Sequence, residues 1–187
     1  MNPFAQLLDI LVGLYITIVL LRFFLQYFRA DFYNPLSQFV VKATDPFVKP
    51  LRKIIPGFGG IDVSSLVLAY IVILIKLILL HILAGQLGFN FIYILLLSVV
   101  DLLQSILRLF MFLILIRVIL SWVSPAGHNP ILAVIGQISE PVIAKFRSLL
   151  PPVSGFDFSP MLALLLIFFL QSSLDYYVLP LIGQIAY

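Results

Sequence analysis

The stretch Arg22–Ser64, RFFLQYFRADFYNPLSQFVVKATDPFVKPLRKIIPGFGGIDVS, returns without a gap 95 residues later as Arg117–Ser159, RVILSWVSPAGHNPILAVIGQISEPVIAKFRSLLPPVSGFDFS. The offset pairs Arg22 with Arg117, Asn34-Pro35 with Asn129-Pro130, Pro46 with Pro141 and Arg52 with Arg147. It also pairs Pro56 with Pro151, Asp62 with Asp157 and Ser64 with Ser159, and sets Asp45 against Glu140. The matched residues start helices, stop helices or carry charge, while the apolar positions between them drift. A duplication of this kind preserves geometry.

Around the repeat the chain is very apolar. Of 187 residues, 63% are hydrophobic and 10% charged, with a mean hydropathy of +1.19. A globule of this size has too much surface to hide such a composition from water, so the chain belongs in a bilayer. A hydrocarbon core of roughly 30 Å needs about 20 helical residues. Phe4–Phe28, Val63–Leu83, Ser98–Val123 and Phe158–Leu179 qualify, giving an all-α membrane protein with four transmembrane helices. Residues 1–90 form the first repeat and 91–187 the second, each a pair of spans around a loop with short amphipathic helices, at 34–55 and 129–150. The first span reads as a retained anchor, because no basic residue precedes it and Arg22 lies within it.

Arg29, Lys42, Lys49, Arg52 and Lys53 fall between the first two spans, and Lys145 and Arg147 between the last two. Short loops rich in Lys and Arg stay on the synthesis side, which predicts cytoplasmic loops and outward termini. Two crossings per repeat make the copies parallel, so an axis relating them would run along the membrane normal.

Each loop reads as two short helices. Asn34 and Asn129 are suited to N-capping, with proline following at N1. Leu36, Phe39, Val40 and Ala43, and likewise Ile131, Val134, Ile135 and Ile138, form apolar stripes at helical spacing. Asp45-Pro46 and Glu140-Pro141 then open a second helix, with Phe47, Leu51 and Ile54, or Val142, Phe146 and Leu149, on its apolar side. These helices either lie on the membrane surface or pack on the core. Pro56 and Pro151 end them, and the Gly57–Gly60 and Pro152–Gly155 stretches turn the chain. Asp62 and Asp157 stand where the returning spans need an N-cap, a reading favoured over an ion ligand. The apolar segment Phe91–Val123, of 33 residues, is about 50 Å long as a helix. It either projects beyond the bilayer or begins with a separate turn over Phe91–Leu97.

Ionisable residues within spans are costly, and each is a functional hypothesis. Arg22 and Arg117 lie about 10 Å inside the loop end of their spans, within reach of the headgroups or of a carboxylate in the adjoining loop. Lys76 and Arg108 lie roughly 20 Å from that end, and neither has a charged repeat mate. Asp9 and Asp101 fall near their level, as do His81 and Asp175. These groups either lock helix packing as ion pairs or line a proton or cation path.

With no cysteine, thiolate sites and disulfides are excluded. His81 and His128 are the only histidines, and the topology puts them on opposite sides of the membrane. No phosphate-cradling glycine loop and no H-E-x-x-H helix occurs. The chemistry predicted is non-enzymatic and without cofactor or metal. The basic residues are dispersed, pointing to lipid rather than nucleic acid.

Asp31–Lys42 (DFYNPLSQFVVK), Pro50–Pro56 (PLRKIIP) and Ile61–Ser65 (IDVSS) resemble the YggT family of bacterial membrane proteins, proteobacterial type. Asn129-Pro130, Glu140-Pro141, Phe146–Pro151 (FRSLLP) and Phe156–Pro160 (FDFSP) carry the same resemblance through the second copy. It implies a multi-pass inner-membrane protein with two YggT repeats, associated with osmotic-shock tolerance and with potassium or general ion homeostasis. Relatives in Gram-positive bacteria and plastids are linked to division, nucleoid distribution and cytochrome complex assembly. That link implies an alternative, a scaffold or assembly factor that binds another inner-membrane protein through its loops. Either role is compatible with a homo-oligomer. The second copy departs at Ser124–His128 (SPAGH), where the first has Arg29–Tyr33 (RADFY).

Overall fold

The computed structural model describes residues 2–85, 88, 90–123, 129–149 and 157–184. The elements run α1 (Pro3–Tyr27), α2 (Pro35–Ile54), α3 (Val63–Leu83), α4 (Phe91–Val123), α5 (Pro130–Arg147) and α6 (Ser159–Ser173). A π-helical turn, Leu174–Val178, and α7 (Leu179–Gly183) follow. Among the described residues, four helices are long and apolar enough to cross a membrane: Pro3–Tyr27, Val63–Leu83, Phe91–Leu120 and Ser159–Gly183. The chain is an all-α, multi-pass membrane protein.

The long third span is one unbroken helix from Phe91, with no separate turn over Phe91–Leu97. The last span, read as ending at Leu179, continues through the π-helical turn to Gly183. Pro180 explains the turn. Its ring collides with the carbonyl four residues back, and widening the hydrogen-bond spacing for one turn relieves the clash without ending the helix.

The loops depart from the expected helix pairs. Each is a single helix running through its acidic-Pro step, with Pro46 and Pro50 inside α2 and Pro141 inside α5. Thr44 and Ser139, one residue before each acid, donate their hydroxyls to the Val40 and Ile135 carbonyls at 2.6 and 2.8 Å. Arg22 donates to the Val41 carbonyl at 3.3 Å. Side chains thus engage backbone acceptors beside the turn where proline supplies no amide. Asn34 and Asn129 cap their helices, accepting from Leu36 and Ile131 N–H at 3.0 and 2.9 Å.

The buried side of α2 is Ser37, Val40, Thr44 and Val48, not the stripe through Phe39. Two of these are hydroxyl residues, admitted because each donates to a carbonyl, Ser37 to that of Asp31 at 2.7 Å. Phe39, Phe47 and Ile54 are exposed, within about 80° of one another around the helix, and Lys42, Lys49 and Lys53 lie on an adjoining arc. The helix therefore packs on the core with one arc and leaves a second apolar arc uncovered.

At Asp62 the carboxylate accepts from Ser65 N–H and completes the expected cap. Asp157 departs: Phe158 occupies the cap position of α6, and the Asp157 carboxylate accepts from Ser159 N–H at 2.9 Å instead. After α2, Gly59 and Gly60 take positive φ of 60° and 85°, which lets the chain reverse into α3. Pro151, Pro152–Gly155 and His128 lie outside the described residues.

A single core joins the two copies. Ile16, Val19, Leu20 and Phe24 of α1 meet Leu68, Ala69 and Ile73 of α3 and Leu109, Leu113 and Ile114 of α4. Phe24 and Phe110 pack edge to face at 4.8 Å near the loop end. Val40 and Val48 from α2 and Val134, Ile138 and Ile143 from α5 close the core beneath the loops. The starts of the two loop helices touch, because Asn34 Nδ2 donates to the Pro130 carbonyl at 2.6 Å. Further along the spans the relation between copies loosens. α3 packs on α4, whereas α6 packs on α4 and α5 and, among the described residues, not on α1.

Candidate functional site

The repeated charges assemble into a four-residue network in each loop. In the first copy Arg22 NH1 meets Asp45 at 2.8 Å and Arg22 Nε lies 3.6 Å from Asp62. Arg52 NH2 meets Asp62 at 2.5 Å and also donates to Gln26 at 3.0 Å. In the second copy Arg117 pairs with Glu140. Arg147 reaches Glu140 at 2.5 Å and Asp157 at 2.8 Å. The four positions are the same, yet the closing contact differs. A glutamate in place of Asp45 carries one more methylene, and it is Glu140 that bridges both arginines. Arg22 performs that bridging in the first copy.

Thr44 and Ser139 belong to these networks, accepting from Arg22 and Arg117 NH1 at 2.7 and 3.2 Å. Sequence reasoning missed them, since Thr and Ser do not match as letters. The signal was a hydroxyl residue directly before the acidic-Pro step in both copies.

Hydrogen bonding sets the acidities. Lys49 is the main influence holding Asp45 below its ordinary value of 3.8, with Arg22 adding to it. Burial pushes Asp62 upward, but Arg52 and Ser65 outweigh it and the carboxyl sits lower. Burial likewise opposes ionisation of Glu140, and Arg117 and Arg147 override it. Asp157 is lowered chiefly by Ser159, and Arg147 is raised by Glu140 and then Asp157. All four carboxylates are thus held ionised as structural partners.

A second charged group lies farther from the loops. Lys76 Nζ of α3 is 3.2 Å from Asp9 of α1 and 2.7 Å from Asp101 of α4. Arg108 NH2 meets Asp101 at 2.8 Å and donates to Ser105 at 2.9 Å. Arg108 points back along α4, as helical side chains do, so its guanidinium reaches up toward Asp101. The order Asp9, Lys76, Asp101, Arg108 alternates in sign and sums to zero. Its middle is buried and its ends are open: the side chains of Lys76 and Arg108 are 7% and 53% exposed.

All four charges line a cavity of about 720 Å³ between α1, α3 and α4, with Leu179 of α7 on its wall. α1 and α4 touch through Phe24 and Phe110, and the cavity lies between the two helices around Gly13 and Arg108. Gly13 and its repeat mate Arg108 both line it. A Cβ at Gly13 would meet no atom within 4 Å, so glycine leaves open space on the α1 wall of the cavity.

Two groups anticipated near this level go elsewhere. Asp175 accepts from Gln104, the repeat mate of Asp9, at 2.6 Å, and the His81 ring lies 3.3 Å from the Gly88 carbonyl. Among the described residues no group of three or more metal-ligating side chains is found.

The chain matches the CCB3/YggT family over residues 1–83 and again over 96–178, two segments separated by the same offset as the internal duplication. The chain belongs to the CCB3/YggT family. An uncharacterised Pseudomonas aeruginosa protein is 49% identical to it over 163 residues, covering 85% of this chain and 81% of that protein. The protein YggT of Escherichia coli K12, also uncharacterised, is 42% identical over 168 residues, covering 90% and 87%. A Haemophilus influenzae relative is 36% identical over 179 residues, covering 96% and 93%. No solved structure matches the chain. Within this CCB3/YggT chain the four repeated charge positions close both loops, while the far-side charges belong to the cavity and have no charged mates.

Proposed function

We propose that this protein is a non-enzymatic component of the bacterial inner membrane that supports tolerance of osmotic shock through ion balance, potassium being the first ion to test. The reading rests on one observation: Asp9, Lys76, Asp101 and Arg108 form a connected chain of charges inside the spans and beside an open cavity. Such charges are expensive to hold in hydrocarbon and mark functional positions. The excess of Lys and Arg in the two loops supports a cytoplasmic position for both loops and a periplasmic one for both termini. The loop half of the bundle is filled by side chains, so ion movement through this protein requires an oligomer or a rearrangement of α1 against α4.

The test is ion flux in proteoliposomes. Purified protein should move at least one small ion, and Arg108→Ala should abolish the flux while the protein remains folded. Folded wild type that moves no ion across a panel of monovalent cations and anions removes the transport reading.

A second reading has its own observation. The uncovered Phe39, Phe47 and Ile54 arc of α2, flanked by Lys42, Lys49 and Lys53, suits contact with another inner-membrane protein. In this reading the protein is a scaffold. Photocrosslinkers at Phe39 and Phe47 should capture one defined partner in cells; capture of lipid alone discards it. Arg52 and Arg147 make ion pairs within the chain, which supports a structural role for them in either reading.

A further inference from the structure

The far-side cavity has two properties that together specify an occupant. Its mouth is flanked by Ile10 and Leu14 of α1 and Phe112 and Leu115 of α4, all exposed and apolar, so it opens sideways toward acyl chains. Its interior presents two unlike polar ends. Asp9 meets Lys76 through Oδ1, and its side chain is about half exposed. Arg108 contacts Asp101 and Ser105 through NH2, which leaves NH1 and Nε without a partner among the described residues, and the residue lines the cavity. One end therefore offers a carboxylate edge and the other a guanidinium edge, with Lys76 and Asp101 neutralising each other between them.

We infer that this cavity binds a zwitterionic phospholipid carrying a primary ammonium, a class represented by phosphatidylethanolamine. The phosphodiester pairs with the free guanidinium edge of Arg108, and the ammonium donates to Asp9. The acyl chains run along the apolar mouth into the bilayer. Net charge decides against an anionic lipid: the four protein charges sum to zero, and an added negative charge at this depth would be uncompensated. Hydrogen bonding decides against a choline headgroup, because a quaternary ammonium has no N–H to donate to Asp9. This inference goes beyond the proposed function and does not depend on ion movement, since lipid occupancy has its own readout.

The experiment is lipid retention by the full-length protein in detergent, read by native mass spectrometry. The probes are phosphatidylethanolamine, phosphatidylcholine and phosphatidylglycerol with identical acyl chains. Phosphatidylethanolamine should be retained roughly tenfold better than either of the others. Asp9→Asn should erase the preference over phosphatidylcholine, and Arg108→Gln should weaken retention of all three. A Cβ added at Gly13 meets no atom within 4 Å and Gly13 lines the cavity, so Gly13→Leu should extend into the cavity and abolish retention without lowering the melting temperature. Should Asp9→Asn perturb folding, Gly13→Leu still decides the matter, because it alters no charge and replaces a helical glycine by a better helix former. Equal retention of the three lipids, a preference for phosphatidylglycerol, or undiminished retention in folded Gly13→Leu overturns the inference.

Discussion

Asn34 and Pro130 hold the two copies of the repeat together at their starts: the amide of Asn34 donates to the Pro130 carbonyl at 2.6 Å. The same side chain accepts from Leu36 N–H with its oxygen, so one buried asparagine both caps α2 and joins it to α5. Its mate Asn129 caps α5. Asn34→Asp should retain the cap and lose the inter-copy donor, costing about 1 kcal/mol or more, whereas Asn129→Asp should be nearly neutral. Asn34→Ala should cost more than either. Thermal unfolding in one detergent ranks the three, and equal effects at positions 34 and 129 would contradict the joining role.

The arginines that head the two loop networks sit in unequal surroundings. The side chain of Arg22 is 5% exposed and that of Arg117 is 31% exposed. Removing a buried partner leaves Asp45 short of a charge it was folded against. Arg22→Met should lower stability by roughly 1–3 kcal/mol, since Asp45 keeps Lys49 and Asp62 keeps Arg52. Arg117→Met acts on a better solvated pair and should cost about 1 kcal/mol or less. Denaturant unfolding in mixed micelles measures both, and the prediction fails if Arg117 is the more sensitive position.

Acid should loosen the loops before it affects the spans. Asp45, Asp62, Glu140 and Asp157 all titrate below their ordinary values of 3.8 for Asp and 4.5 for Glu. A carboxyl lowered in the folded state stabilises it fully above the unfolded value, and that contribution disappears as pH falls through the lower folded value. The melting temperature should therefore be flat from pH 7 to about 5 and decline below about 4. Asp45→Asn with Glu140→Gln should start lower at neutral pH and show a shallower acid decline. A transition centred between pH 6 and 8 would require a different titrating group. Arg147, raised further from an already strongly basic ordinary value, contributes nothing to this window.

Within the far-side chain the order of sensitivity follows burial. Lys76 is enclosed between two carboxylates, so Lys76→Met leaves Asp9 without its partner and the buried Asp101 with Arg108 alone. Arg108→Met removes an end group and leaves Asp101 paired with Lys76. The first should reduce folded yield severely and the second mildly. Adding Asp101→Leu to Lys76→Met should restore part of the loss, a coupling that a double-mutant cycle reads directly. Additive losses would show that Lys76 and Asp101 do not act as a pair.

Much of the loop architecture was legible because the duplication marked its landmarks. Arg22, Asp45, Arg52 and Asp62 recur as Arg117, Glu140, Arg147 and Asp157, and two copies with freely drifting apolar positions isolate the residues that geometry requires. The caps at Asn34, Asn129 and Asp62 followed from local rules that depend on the nearest few residues. The split of each loop at its acidic-Pro step did not follow. Proline forbids one hydrogen bond locally, and only the packing of Val40, Val48, Ile138 and Ile143 against the core supplies enough stabilisation to carry the helix across it. The partners of Lys76 escaped assignment for a related reason. Asp9, Asp101 and Asp175 all fit its level by helix rise, and the choice among them depends on how α1 and α4 rotate about their axes.

Composition and spacing alone determined that this chain crosses a bilayer as helices and that its two halves share one plan, since span length, caps and periodicity are properties of neighbouring residues. Tertiary structure decided that Asp9, Lys76, Asp101 and Arg108 share a cavity, that Gly13 makes room for it, and that α6 does not repeat the contact α3 makes with α4. Those outcomes depend on how helices rotate and lean against one another. That balance is set by contacts between residues far apart in the chain, which no local pattern encodes.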